Sequence, residues 1–420
     1  MIVSGMSGNE AFCLAQKGFM PGEIVVGNSV VSLGVVGGIG AWGKGITGGE
    51  LGAVTKMISE GRHAAIKRLV KEAEKSGAVG VTSVVSELRS LGGYMEFLAQ
   101  GTGITGDRLG EGTFTTAASG MELYCHLDAG YKPMHFAMGN VAYALGIGQG
   151  LVGSVRTMAR GEVHEFSQMY NHIRHLALDR LRKEAREVGA NCVVDVKVKL
   201  QPFGPTATEL LMTGTASFHP ALGTPATDDD VVTSELTGEE LWNLARMGYV
   251  PVQLCMATSV YSLGVVGGFG AMFKGMTQGE IPELTKIVYE ARENCIGVLR
   301  KEAERFGCER VIGNKLIIKE LGPGLIEVMC IGTGVRKAPP GMEPATPLLI
   351  AQAVIIDKDL LESNALDGGD GNVPGAAVQR ATREVQGGGR QVVGCVVGVV
   401  WLFIVMGVMF FGAIAALLGN

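Results

Sequence analysis

Apolar residues at Ile58, Ile66, Leu69, Val70 and Ala73 fall at the spacing of a helix with one buried stripe. Glu50 stands ahead of that run, where a carboxylate suits the positive end of a helix dipole, and Gly77 stands behind it as a stop. The same landmarks recur twice. Glu162 and Glu280 match Glu50, Gly189 and Gly307 match Gly77, and Arg174 and Arg292 match Arg62. Lys71-Glu72-Ala73 is repeated as Lys183-Glu184-Ala185 and Lys301-Glu302-Ala303, and Pro282 sits just inside the third start.

Upstream of each long helix lies a shorter one. SGNEAFCLAQKGFMP from Ser7, SGMELYCHLDAGYKP from Ser119 and TGEELWNLARMGYVP from Thr237 each pair a hydroxyl with a Glu three residues later, a capping box. Gly18, Gly130 and Gly248 then close the helix, and Pro21, Pro133 and Pro251 block its continuation. Downstream come two β-like runs, VGVTSVVSEL and YMEFLAQGT in the first copy, NCVVDVKVKL and TELLMTGT in the second, RVIGNKLIIKEL and IEVMCIGT in the third. Each unit therefore reads short helix, strand, Gly-rich segment, long helix, strand, hairpin, strand. The fold class predicted is α+β: three tandem modules, each a small antiparallel sheet with one long and one short helix, followed by a single transmembrane helix. The modules take residues 1–112, 113–230 and 231–363, the last with an extra strand from LLIAQAVIID at 348–357. So small a sheet has open edges, which favours continuation of the sheet between modules or subunits.

Residues 364–391 are Gly-rich and read as a flexible linker. Residues 392–418 carry no charge. As a helix they would run roughly 40 Å, enough for a hydrocarbon core of about 30 Å. Arg380, Arg383 and Arg390 precede this span and no basic residue follows it, so the expected location is the cell membrane, single-pass, with the soluble modules facing the cytoplasm. The anchor residues are Gly394, Gly398, Trp401, Phe410 and Phe411, the two glycines forming a G-x-x-x-G that can pair helices.

Charge narrows the field of partners. Across 420 residues the net charge is −5, so no basic surface calls for nucleic acid. Eight cysteines are scattered without a C-x-x-C pair, the pattern of free thiols in a reducing compartment. The start MIVSGMSGNEAF lacks the features of a signal peptide. GIGAWGKG at 38–45 matches the glycines of a dinucleotide turn and most of a phosphate loop. In the second copy, however, Val152 and Arg156 replace Gly40 and Lys44, and in the third Phe273 replaces Gly43. No nucleotide is expected. The three Gly segments read instead as close-packed subunit contacts, mobile loops or lipid contacts, with Gly38, Trp42, Gly43, Gly268, Met272 and Phe273 as the oligomer or membrane contacts.

LRKEAREVGANCVVDVKV from Leu181 and the closing LLMTGTAS resemble the YbjQ-like family of small bacterial proteins, as do LVKEAEKSGAVGVTSVV and LRKEAERFGCERVIGNKL. The resemblance covers residues 7–336. It implies small α+β domains that assemble into rings, typically pentamers, and it brings the family label "putative heavy-metal-binding domain". Three modules in one chain, the Gly segments and the anchor are departures from that pattern.

A metal site needs three or four converging ligands. His172 and His175 share a helix face with His164, and the matching positions are Glu60 and His63 in the first copy and Glu290 and Glu293 in the third. Each pair also flanks Arg62, Arg174 or Arg292, as on a solvated face or in a salt-bridge row at a subunit interface. No cofactor is expected beyond a possible divalent metal at these positions. No catalytic residues stand out: there is no G-x-S-x-G, and no Ser, His and acid set recurs. The expectation is a membrane-anchored homo-oligomeric scaffold or shell-forming protein without catalytic activity, its partners itself and the lipid bilayer. The alternative is a metal-binding or metal-responsive assembly.

Overall fold

Each sequence repeat folds around a three-stranded antiparallel sheet crossed by its long helix. The computed structural model describes residues 1–32, 49–91, 94–144, 160–203, 207–263, 282–322 and 324–354. In the first module α1 (Gly8–Ala15) leads into β1 (Phe19–Ser32), β2 (Gly49–Glu50) and α2 (Gly52–Lys75), then β3 (Gly80–Leu91) and β4 (Tyr94–Gly106). β5 (Phe114–Thr115) leads to the second module: α3 (Gly120–Asp128), β6 (Lys132–Ala144), β7 (Gly161–Glu162), α4 (His164–Glu187), β8 (Cys192–Phe203) and β9 (Ala207–Phe218). β10 (Val232–Thr233) leads to the third: α5 (Gly238–Arg246), β11 (Tyr249–Ser262), α6 (Pro282–Arg305), β12 (Arg310–Gly322) and β13 (Leu325–Lys337).

The local signals act as expected. Ser7, Ser119 and Thr237 accept from the backbone of Glu10, Glu122 and Glu240, and each Glu side chain returns to the cap. Gly77, Gly189 and Gly307 follow the long helices with φ of 76°, 79° and 67°, a region that disfavours a side chain. Of the predicted stripe, Ile58, Ile66, Leu69 and Ala73 are buried with Ala65, Val25, Val81, Phe97 and Ala99, and Val70 packs half-buried against them. Helix and sheet touch backbone to backbone at two glycines. A Cβ on Gly27 would stand 2.1 Å from the Ala65 carbonyl oxygen, and one on Gly139 would stand 2.0 Å from that of Ala177. The third module has Ala257 at the corresponding place.

The sheets do not stop at module boundaries. β2, from the first module, pairs with β6 in the second, and β7, from the second, pairs with β11 in the third. In the opposite direction the connector strand β5 pairs in parallel with β3, and β10 with β8. Sheet orders are thus β1-β4-β3-β5, β10-β8-β9-β6-β2 and β12-β13-β11-β7. Each connector is received at a bulge, where Ser83 and Asp195 adopt φ of 54° and the third copy has Gly313 at 65°. Glu50 and Glu162 accordingly lie on these short strands rather than in the first helical turns. The caps of α2 and α4 are Leu51 and Val163, which give no side-chain hydrogen bond.

The run at 348–357 is not a strand as far as it is described. It holds the 3-10 turn Ala351–Ala353, and Ala353 packs with Cys13, Tyr124, Cys125 and Trp242 among the short helices. The three modules and this segment form one compact unit, Met1–Ile356. Among the described residues no helix is long and apolar enough to cross a membrane. The expected anchor at 392–418, with Gly394, Gly398, Trp401, Phe410 and Phe411, lies outside the described residues. So do Gly38, Trp42, Gly43, Gly268, Met272 and Phe273.

Candidate functional site: the junctions between modules

The chain's most elaborate polar chemistry lies where one module's long helix meets the next module's sheet. Arg62 on α2 is 1% exposed and reaches across to Glu209 on β9, with Nε donating to Oε1 at 3.0 Å and Nη2 to Oε2 at 2.6 Å. Its Nη1 donates to the Ser86 hydroxyl at 2.9 Å and carbonyl at 3.1 Å. At the second junction Arg174 on α4, 2% exposed, donates to Glu327 on β13 and to the Thr258 hydroxyl. At the first junction the guanidinium–carboxylate pair is bidentate, at the second Nη2 alone reaches the carboxylate, and at either one removing one partner would strand the other out of water.

Around each arginine the same frame is repeated. Leu51 donates its N–H to the Ala142 carbonyl at 2.8 Å, and Val163 donates to Val260 at 2.8 Å. The Thr55 hydroxyl accepts from the Ala142 N–H at 3.0 Å, and the Ser167 hydroxyl accepts from Val260 at 2.9 Å. Connector hydroxyls then tie to the next sheet: Thr116 to Thr215 at 2.8 Å and Ser234 to Thr333 at 3.3 Å. Arg180 also bridges to Glu50 at 2.8 Å, a contact confined to the first junction because Val298 is its counterpart in the third module.

Histidines line the rim. His63 Nε2 lies 3.1 Å from Glu184 Oε2, while His135 Nε2 lies 2.8 Å from Glu184 Oε1. His175 Nε2 lies 2.9 Å from Glu302 Oε1. The hydrogen bonds to Glu184 and Glu302 push the His63 and His175 imidazoles above their ordinary range, against the opposing effect of burial. Burial would raise the Glu184 carboxyl, but its bonds from His135 and His63 outweigh that and hold it low.

The remaining metal candidates do not gather. His164 is exposed beside Glu162 at 3.3 Å, His172 faces solvent, and Glu60 and Glu290 form exposed helical pairs with Lys56 and Lys286 at 3.8 Å. Glu293 is exposed on α6. Among the described residues no group of three His, Cys, Asp or Glu side chains is arranged to hold a metal ion. In the paired imidazoles and carboxylates, the atoms that would ligate a metal bond to one another, so this donor set does not fit one. Every described cysteine is free.

Arg62 and Arg174 lie neither on a solvated face nor in a row between subunits: their ion pairs join modules within one chain. Their partners Glu209 and Glu327 escaped the sequence reading. The available signal was an acid at one register position of the last strand, embedded in apolar neighbours: YMEF, TELL and IEVM.

The family described as "Putative heavy-metal-binding" (YbjQ) matches three stretches, residues 21–106, 131–219 and 248–338. A UPF0145 protein of Methanocella arvoryzae is 40% identical over 85 residues, covering 20% of this chain and 71% of that protein. A UPF0145 protein of Bradyrhizobium is 35% identical over 91 residues, 21% of this chain and 82% of its own length. A longer match, 28% identical over 246 residues, is to "Encapsulin nanocompartment protein Rv1762c" of Mycobacterium tuberculosis and covers 57% of this chain and 92% of that protein. No solved structure matches the chain significantly.

Proposed function

Since the chain belongs to the YbjQ-like, "Putative heavy-metal-binding" family in three tandem copies, we propose that it is a self-assembling structural protein, a scaffold or shell subunit without catalysis. The observation that carries this reading is the repeated junction. The buried polar groups of the module interfaces are spent on joining modules, by ion pairs and added strands, rather than on lining a cleft. The relative named as an encapsulin nanocompartment protein, matched over more than half of this chain, supports the same direction. The metal alternative rests on the family description alone.

In this reading the apolar segment 392–418 fixes the assembly to the cell membrane, with the modules on the cytoplasmic side. Two measurements test it. Electron microscopy of the detergent-extracted full chain should show uniform multi-subunit particles; isolated 44.0 kDa subunits at every concentration would refute assembly. Deleting residues 391–420 should release the protein into the soluble fraction. Continued membrane retention would move the lipid contact elsewhere, with the Gly segments first in line.

A further inference from the structure

The two internal junctions use one face of each module as a socket and the opposite face as a plug. Among the described residues three modules make two junctions, so one plug and one socket are left over. Both are exposed in the fold.

The plug is the outer face of α6. On α2 the junction stripe is Thr55, Ile58, Arg62 and Ile66, and on α4 it is Ser167, Tyr170, Arg174 and Leu178, all buried. The corresponding α6 residues are Thr285, Val288, Arg292 and Ile296, of which Thr285 and Arg292 are exposed and Val288 and Ile296 half-buried. The socket is the outer face of β1 and β4. Ile24, Val26 and Val30 are 47%, 41% and 50% exposed, whereas their counterparts Phe136, Met138, Ala142 and Leu254, Met256, Val260 are 5% exposed or less. A hollow lined by Val26, Asn28, Arg68 and Glu72 lies on this face. Glu96, half-buried and 3.4 Å from Asn28, occupies the register position of Glu209 and Glu327.

Two further features match on the same pair of faces. Phe114 and Thr115 bury against β3, but the equivalent Ile2 and Val3 at the N-terminus are 62% and 64% exposed. Their receiving edge would be β12, where Arg310 is exposed and Val311 half-buried although Val81 and Val193 are fully buried. Gly120 and Gly238 are pressed against Glu10 and Glu122 of the preceding short helix, while Gly8 has open space where its Cβ would point.

We propose that a second copy of this chain completes the pattern. The third module of one copy docks on the first module of the next, with Arg292 pairing to Glu96, α6 covering Ile24, Val26 and Val30, and residues 2–3 adding to β12. This rests on the assembly reading above and supplies its interface. The contact is head to tail, so it closes into a ring if the rotation per module allows, and a ring of intact copies holds a multiple of three modules. One position departs from the internal junctions. Glu293 replaces the rim histidine, so it faces Glu72 where His63 and His175 face Glu184 and Glu302. Two carboxylates there make the contact between copies weaker than the contacts within one.

Sedimentation of the full chain in detergent, across a concentration series, tests the interface. Arg292→Glu and Glu96→Arg should each lower the association constant about tenfold or more by setting like charges together, and the double variant should recover it. Glu293→His, which rebuilds the rim pair, should raise it. Circular dichroism of each variant checks that the subunit fold is kept. Wild type and all variants assembling equally would overturn this interface and leave the scaffold reading intact. A wild type that stays monomeric throughout would overturn both.

Discussion

Arg174 and Arg292 occupy the same position on successive helices, one sealed in an ion pair and the other in solvent. The difference does not come from local sequence, because both follow an amphipathic helix onto the same kind of sheet. It comes from what lies beyond: α4 has a third module to cover it and α6 has no such module among the described residues. Burial in this protein is therefore a property of the junction, and a residue's place in the repeat matters less than its place in the row.

The largest effect should separate those two arginines. Arg174→Met leaves Glu327 buried without its partner and should destabilise the folded unit by about 3–5 kcal/mol. Pairing it with Glu327→Leu should recover most of that loss. Arg292→Met should stay within about 0.5 kcal/mol in the dissociated subunit. Denaturant melts of the three variants below the assembly concentration measure this, and equal losses at 174 and 292 would erase the distinction.

The middle position also allows a polar group that the ends replace. His126 on α3 stands where α1 and α5 have Leu14 and Leu244, and it is fully buried with no hydrogen-bond partner on either ring nitrogen among the described residues. Burial pushes its imidazole down to about 4. The unfolded chain takes up this proton first as pH falls, so stability is whole above the ordinary 6.5 and drains as pH drops from there to about 4. At ~1.4 kcal/mol per unit, the loss is about 3 kcal/mol. His126→Leu should flatten the acid slope between pH 6.5 and 4.5; an unchanged slope would assign it to other groups.

Packing gives a smaller contrast. Gly139→Ala forces a Cβ onto the α4 backbone and should cost about 1–3 kcal/mol. The third module carries Ala257 at this position. Thermal melts showing no loss for Gly139→Ala would mean that α4 can stand off its sheet as easily as α6 accommodates Ala257.

Much of this fold was legible because its signals are local. Capping boxes, glycine stops and helical apolar spacing each act within a few residues, and their repetition at matched positions made the modules readable. The junctions are another matter. Glu209 lies 147 residues from Arg62, and nothing in either neighbourhood announces the other. Glu50 and Glu162 were legible as acids ahead of a helix, but the strand pairing that claims them depends on the next module's edge. Their local context fits both roles, and tertiary pairing decides. His63 and His175 were visible as possible ligands, whereas their carboxylate partners on the following helix were not.

The smallest effect bears on the rim. His175 pairs with Glu302 at the second junction, and the corresponding residue at the outward face is Glu293. The bond to Glu302 raises the His175 imidazole above the ordinary 6.5, so its stabilisation is full below that pH and is lost as pH rises through the folded value. The side chain is 39% exposed, so water screens the pair and its worth is about 0.2–1 kcal/mol. His175→Glu should remove this contribution and install at the inner junction the carboxylate pair proposed for the outer one. The expected result is a loss at pH 6 that shrinks toward pH 8, as the wild type sheds its own proton, to the residual repulsion of the two carboxylates, read as the difference between paired denaturant melts. A loss that stays the same between pH 6 and 8 would show that repulsion between Glu302 and the new carboxylate outweighs the missing imidazolium, and the rim would then be the strongest brake on assembly between copies.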